Sequence, residues 1–171
     1  MDDKLSAQTL GGREIVNSLD REFARLHSNS CAIVDNTAVD ILYAVPTGTA
    51  VDSLRSIGES VLRCAAAIEQ TFGGITSNLW DDPFEWTLPE YLSTPAKVIE
   101  HLAEVEATRA RAFRSFDDDF CLLKHVAMPS GETRPLISLL LETLLRAADY
   151  QAQSVVALKI LSSISPPGFI I

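Results

Sequence analysis

The chain is short of histidine, of cysteine, of positive charge and of long apolar runs, and each shortage excludes a class of function. The three histidines, His27, His101 and His125, are too scattered in the sequence to suggest a metal cluster. The three cysteines, Cys31, Cys64 and Cys121, are odd in number and far apart, which is neither a disulfide framework nor a Cys-x-x-Cys zinc site. A reducing, cytoplasmic location is the expectation. Lys and Arg number 14 against 23 Asp and Glu, a formal net charge of −9. Phosphate neutralisation dominates nucleic-acid affinity, so no nucleic-acid partner is expected, and the same field disfavours anionic membrane surfaces. No apolar run reaches the roughly 18 residues of a membrane span. The acidic, polar start, Met1-Asp2-Asp3-Lys4, does not read as a signal peptide.

What is present is apolar periodicity. The 171 residues, 47% of them hydrophobic, suffice for a single domain over residues 1–171 with its own core. Four segments repeat apolar residues at three- and four-residue steps, predicting helices at about 13–43, 51–72, 94–116 and 135–163. The first carries Ile15, Leu19, Phe23, Leu26, Ile33, Thr37 and Ile41 on one stripe. The second, with Asp52 or Ser53 as cap and Gly73-Gly74 as its end, carries Leu54, Ile57, Val61, Cys64, Ala65 and Ile68. Thr94 caps the third, with Pro95 where its missing N–H does no harm. A connection at 73–93 holds Trp80, Phe84, Trp86 and Tyr91, either a lid over a cleft or, more simply, a plug that packs. No segment alternates as a strand does. The fold expected is all-α, a four-helix bundle.

The fourth helix is apolar over more than half its circumference. One stripe is Leu136, Leu140, Leu144, Ala147, Val155 and Leu158; its neighbour is Ile137, Leu141, Leu145, Ala148, Ala152, Val156 and Ile160. A bundle core needs one stripe. The second predicts a homodimer, or cover by the tail at 166–171.

Two segments carry a resemblance. Ser56-Ile57-Gly58-Glu59-Ser60-Val61-Leu62-Arg63-Cys64-Ala65 is similar to the second helix of the DinB/YfiT-like family. Leu145-Arg146-Ala147-Ala148-Asp149-Tyr150-Gln151 is similar to its last helix, and Leu92-Ser93-Thr94-Pro95 opens a third helix in family fashion. The resemblance implies a DinB/YfiT-like bundle in which three histidines hold a divalent metal, and some members of which are thiol-dependent transferases or isomerases. Carried over residue by residue, those histidines fall on Arg63, Arg146 and Tyr150. A guanidinium has no lone pair to donate and stays charged, so neither metal nor any other cofactor is expected.

The replacements form their own pattern. Glu59 and Arg63 are four residues apart, as are Glu142 and Arg146, in the order helices favour. If the implied geometry holds, the pairs face each other with Tyr150 one turn further on. The plainer reading is a salt-bridge network filling a polar pocket. The functional reading is an anion pocket in which Arg63, Arg146 and Tyr150 hold a carboxylate or phosphate. Cys64, beside Arg63, is either a low-pKa thiol, which would suit a thiol-dependent transferase, or a small buried apolar residue. His101 reads as a packed core residue and His27 as a stripe edge. The run Asp117-Asp118-Asp119 reads as a solvated helix end, since it lacks the spacing of a calcium loop. The leading expectation is a binding or scaffold protein with a degenerate polar site between the second and fourth helices. Catalytic residues cannot be named from this pattern.

Overall fold

The structure, a computed structural model, describes residues 12–47, 54–86 and 90–162, without the side chains of Glu85 and Trp86. Among these residues the element order is α1 (Glu14–Asp35), α2 (Ile57–Ser77), a 3-10 turn at Pro83–Trp86, α3 (Pro95–Arg114), a second 3-10 turn at Asp119–Leu123, β1 (His125–Ala127), β2 (Thr133–Pro135) and α4 (Leu136–Leu161). Four helices dominate, and none is long and apolar enough to cross a membrane.

Around the bundle α1 packs on α3, α3 on α2, α2 on α4 and α4 on α1. Polar contacts fix the directions. Arg13, at the start of α1, donates to Phe113 O and Phe116 O at the end of α3, so these two helices run antiparallel. Arg55 bonds Gln153 at one end of the α2–α4 pair and Thr71 meets Thr143 at 2.7 Å toward the other, so this pair is antiparallel too. Phe23, Phe72, Phe113 and Phe116 join α1, α2 and α3 with ring centroids 5.2–5.7 Å apart, within the range of favourable edge and tilted contacts.

The caps explain where several boundaries differ from the periodic reading. α1 stops at Asp35, not near Tyr43; Thr37 Oγ1 and Asn36 Nδ2 bond carbonyls of the last turn and end it. Ile15 is half exposed and Val16 takes its place in the core. α2 starts at Ile57, capped by Ser56, whose hydroxyl accepts from Glu59 N; Asp52 and Ser53 lie outside the described residues. The glycines expected to end α2 do not. The helix runs through them to Ser77 and closes on Asn78 in the left-handed conformation (φ 55°), with Leu79 N bonded to Gly73 O. Gly74 serves close approach instead: the Trp80 ring lies where a Cβ would stand. Gly58 does the same for the Tyr43 ring, and its N–H bonds Leu42 O. Thr94 caps α3 as expected.

No strand was expected, yet the segment at 127–133 is the turn of a short antiparallel hairpin, with Val126 opposite Arg134 and Gly131 at φ 84°. The acidic run is not simply solvated. Both Asp119 carboxylate oxygens accept from the first turn of α1, Ile15 N and Val16 N, and Asp118 caps the second 3-10 turn. A carboxylate there meets free N–H groups and the positive end of the helix dipole.

The two stripes of α4 separate. Leu136, Leu140, Ala147, Val155 and Leu158 are buried, with Thr143, Gln151 and Ser154 among them. Leu141, Leu145, Ala148, Ala152, Val156 and Ile160 are exposed, Leu145 by 74%. The tail at 166–171 lies outside the described residues.

Candidate functional site

The residues singled out on α2 and α4 do not form two facing Glu–Arg pairs. On α2 the expected pair exists: Arg63 Nε donates to Glu59 Oε1 at 2.9 Å, and Arg55 Nε reaches the same oxygen at 3.2 Å. On α4 it does not. Glu142 pairs with Arg134 on β2 at 2.5 Å, and Arg146 turns the other way. The hairpin, invisible to the periodic reading, supplies the competing cation.

Arg146 reaches across to α2. Its Nη2 donates to Ala67 O at 3.3 Å and to Gln70 Oε1 at 3.2 Å. Both acceptors are neutral, and among the described residues Arg146 has no carboxylate partner. Arg63 commits only its Nε to Glu59, while the face of its guanidinium lies 4.0 Å from the centre of the Phe84 ring. Stacking of this kind holds a guanidinium flat and leaves its terminal N–H edge free.

Arg63, Arg146 and Tyr150 line one open cleft between α2 and α4, together with Gln70, Asp82 and Phe84. The cleft is small, with a volume of about 30 Å³. The loop segment is what closes this cleft on one side. Gln70 Nε2 holds Trp80 O at 2.9 Å, Asp82 caps the 3-10 turn by accepting from Phe84 N, and the turn lays Phe84 on Arg63. Trp80 and Phe84 are therefore packed against α2; Phe84 is also a wall of the cleft, whereas Trp80 lines a separate pocket. Tyr91 is 71% exposed and takes no part. Of the five residues proposed from sequence, Arg63, Arg146 and Tyr150 line the cleft; Glu59 touches it only through Arg63, and Glu142 borders a separate pocket near Arg134 and Trp80. Gln70 and Asp82 were missed, and Phe84 was named only as part of the lid-or-plug connection. No spacing rule marks them, since they meet only because the loop folds back along α2.

The donor set of the cleft does not fit a divalent metal. Two guanidiniums and a phenol stand where the resemblance implies imidazoles, and among the described residues no group of three or more His, Cys, Asp and Glu side chains is placed to hold one. His125 is exposed on β1, and the His27 ring lies 3.7 Å from Cys31 Sγ, on α1.

Cys64 is not an activated thiol. It is fully buried, and burial pushes its thiol up to about 12, only partly countered by the Ser30 hydroxyl. It belongs to a polar layer inside the bundle: Gln151 Nε2 donates to Leu26 O and to Ser30 Oγ, and Ser30 Oγ lies 3.9 Å from Cys64 Sγ. Burial raises the Cys31 and Cys121 thiols as well.

Arg109 was not foreseen at all. It is 4% exposed, clamps Asp20 of α1 and Glu106 of α3, and lies 5.3 Å from the Phe113 ring centre. Burial lowers its pKa, but hydrogen bonds and charge from Glu106 and Asp20 outweigh burial and leave it raised. Its place is between α1 and α3, away from the cleft.

Comparison of the chain with protein-family models, with curated proteins and with solved structures gives no match.

Proposed function

We propose that this protein is a DinB/YfiT-like bundle, working in the cytoplasm, that binds a small anionic ligand, a carboxylate or phosphate, in the cleft between α2 and α4 without a metal. One observation carries the reading. Arg146, lacking a carboxylate partner among the described residues, shares a narrow cleft with Arg63 and Tyr150. A charge without a counter-ion, beside a second guanidinium whose terminal edge is free, favours an anion from solution through forked, charge-assisted hydrogen bonds. Asp82 also lines the cleft, and its carboxylate disfavours an anion placed against it. The plainer alternative, a closed salt-bridge network, loses support because Glu142 is engaged by Arg134. A thiol-dependent transferase has less support still: no cysteine lines the cleft, and Cys64 stays protonated. Titration calorimetry with phosphate and with acetate tests the proposal. Saturable binding weakened at least tenfold in Arg146→Met is expected. Binding unchanged in that variant sinks it.

The exposed stripe of α4 supports a second reading, a homodimer. Leu141 and Ile160 lie equally far from a point between Tyr150 and Gln151, as do Leu145 and Val156, with Ala148 and Ala152 between them. A two-fold interface needs a patch that complements itself, and this stripe does so when two copies run antiparallel. That arrangement also sets the end bearing Glu142 against the end bearing Lys159. The stripe spans about 29 Å of helix, a small interface, so a weak dimer is expected. Leu145→Glu should shift sedimentation toward monomer; a parent chain monomeric at high micromolar concentration contradicts the reading.

A further inference from the structure

A second cavity abuts the anion cleft. Its volume is about 390 Å³, and it is lined by Tyr43, Val45, Leu62 and Phe84 together with Ser56 and Glu59. Phe84 is a wall of both cavities. On α2 the linings follow one another: Ser56, Glu59 and Leu62 face the larger cavity, then Arg63, Ala66, Ala67 and Gln70 face the cleft. These residues recur at helical three- and four-residue steps, so they lie along one side of α2. The two groups are centred about 11 Å apart by helix rise. Glu59, the one carboxylate among the described residues lining the larger cavity, is matched by Arg55 and Arg63 and does not leave an uncompensated charge beside the apolar walls.

Resting on the anion reading, we infer that the ligand is an amphipathic anion: a carboxylate head held at Arg63 and Arg146, and an apolar tail running along α2 past Phe84 into the Tyr43–Leu62 cavity. The head cleft alone is too narrow for a large molecule, and among the described residues its apolar neighbour has no charged group except the engaged Glu59. Burying a methylene is worth about 0.8 kcal/mol, a factor of about four in affinity, so a tail that enters the cavity strengthens binding at every added carbon until the cavity is full.

The test is titration calorimetry with straight-chain carboxylates from acetate to decanoate, each below its micelle concentration. The corresponding neutral alcohols serve as controls, and the parent is compared with Val45→Trp, which narrows the cavity from its exposed rim. Affinity rising two- to four-fold per methylene, with alcohols binding far more weakly and the rise flattened in Val45→Trp, supports the inference. If acetate binds and longer acids bind no tighter, the tail inference is overturned while the anion site stands. If alcohols bind as well as acids, the head contact is wrong. If no carboxylate binds at all, the anion reading itself fails.

Discussion

Replacing Arg109 by alanine tests whether the clamp between α1 and α3 is worth what its burial implies. The side chain is 4% exposed, whereas Asp20 and Glu106 keep side-chain exposures of 39% and 24%. A fully buried ion pair costs about 3–5 kcal/mol to break, because the remaining charge is stranded; an exposed pair costs about 0–1 kcal/mol. Here the stranded partners can reach water, so the loss lies between these limits. Lost hydrogen bonds and the lost contact of the guanidinium with the Phe113 ring bring it to roughly 2–3 kcal/mol. For a chain of this size that is a fall in Tm of roughly 5–10 °C. Urea unfolding followed by circular dichroism gives the free energy, and a thermal scan gives Tm. Arg109→Met keeps the stem and should recover part of the loss. A variant Arg109→Ala within about 0.5 kcal/mol of the parent would refute the reasoning, since such a value belongs to a surface pair.

Three further outcomes follow from the same physical reading. Ser60 Oγ is buried without a hydrogen-bond partner among the described residues, so Ser60→Ala should raise stability by about 1 kcal/mol, read as a rise in the urea midpoint; a fall would mean the hydroxyl is satisfied. The Cys64 thiol titrates near 12 when folded against about 9 when unfolded, so its contribution is fully present below pH 9 and is lost as pH rises toward 12. Unfolding free energies between pH 9 and 11 should therefore fall faster for the parent than for Cys64→Ala, by about 1.4 kcal/mol per pH unit, and equal slopes would contradict this. Arg63→Ala should cost under about 1 kcal/mol, because Glu59 retains Arg55 and is 35% exposed; a loss above about 3 kcal/mol would place Glu59 in a far less hydrated setting.

The four helices were legible because burying one face imposes a 3.6-residue period, and Thr94 with Pro95 marked a start that the structure keeps. The ends were less so. Gly73 and Gly74 look like a terminator in sequence, yet Gly74 makes room for Trp80 inside a continuing helix, and nothing local distinguishes the two uses. The hairpin was hidden because three-residue strands are too short to show alternation. That miss propagated into the site: Arg134 is drawn to Glu142 only once the hairpin exists, and Arg146 is then released toward α2. The carry-over from the resemblance named Arg63, Arg146 and Tyr150 together, and the three line one cleft because they lie on two long neighbouring helices. Phe84 and Asp82 come from the irregular connection, where position depends on tertiary contacts such as Gln70 with Trp80 O.

The central claim is that Arg63 and Arg146 hold an anion in the cleft between α2 and α4. Its most direct test is the side-chain Nε–H resonances of the arginines in a ¹⁵N-labelled sample titrated with acetate and then phosphate. Saturable shifts at Arg63 and Arg146, with Arg109 and Arg134 unmoved, are the predicted result. Shifts spread evenly over exposed arginines, or none at Arg146, would contradict it.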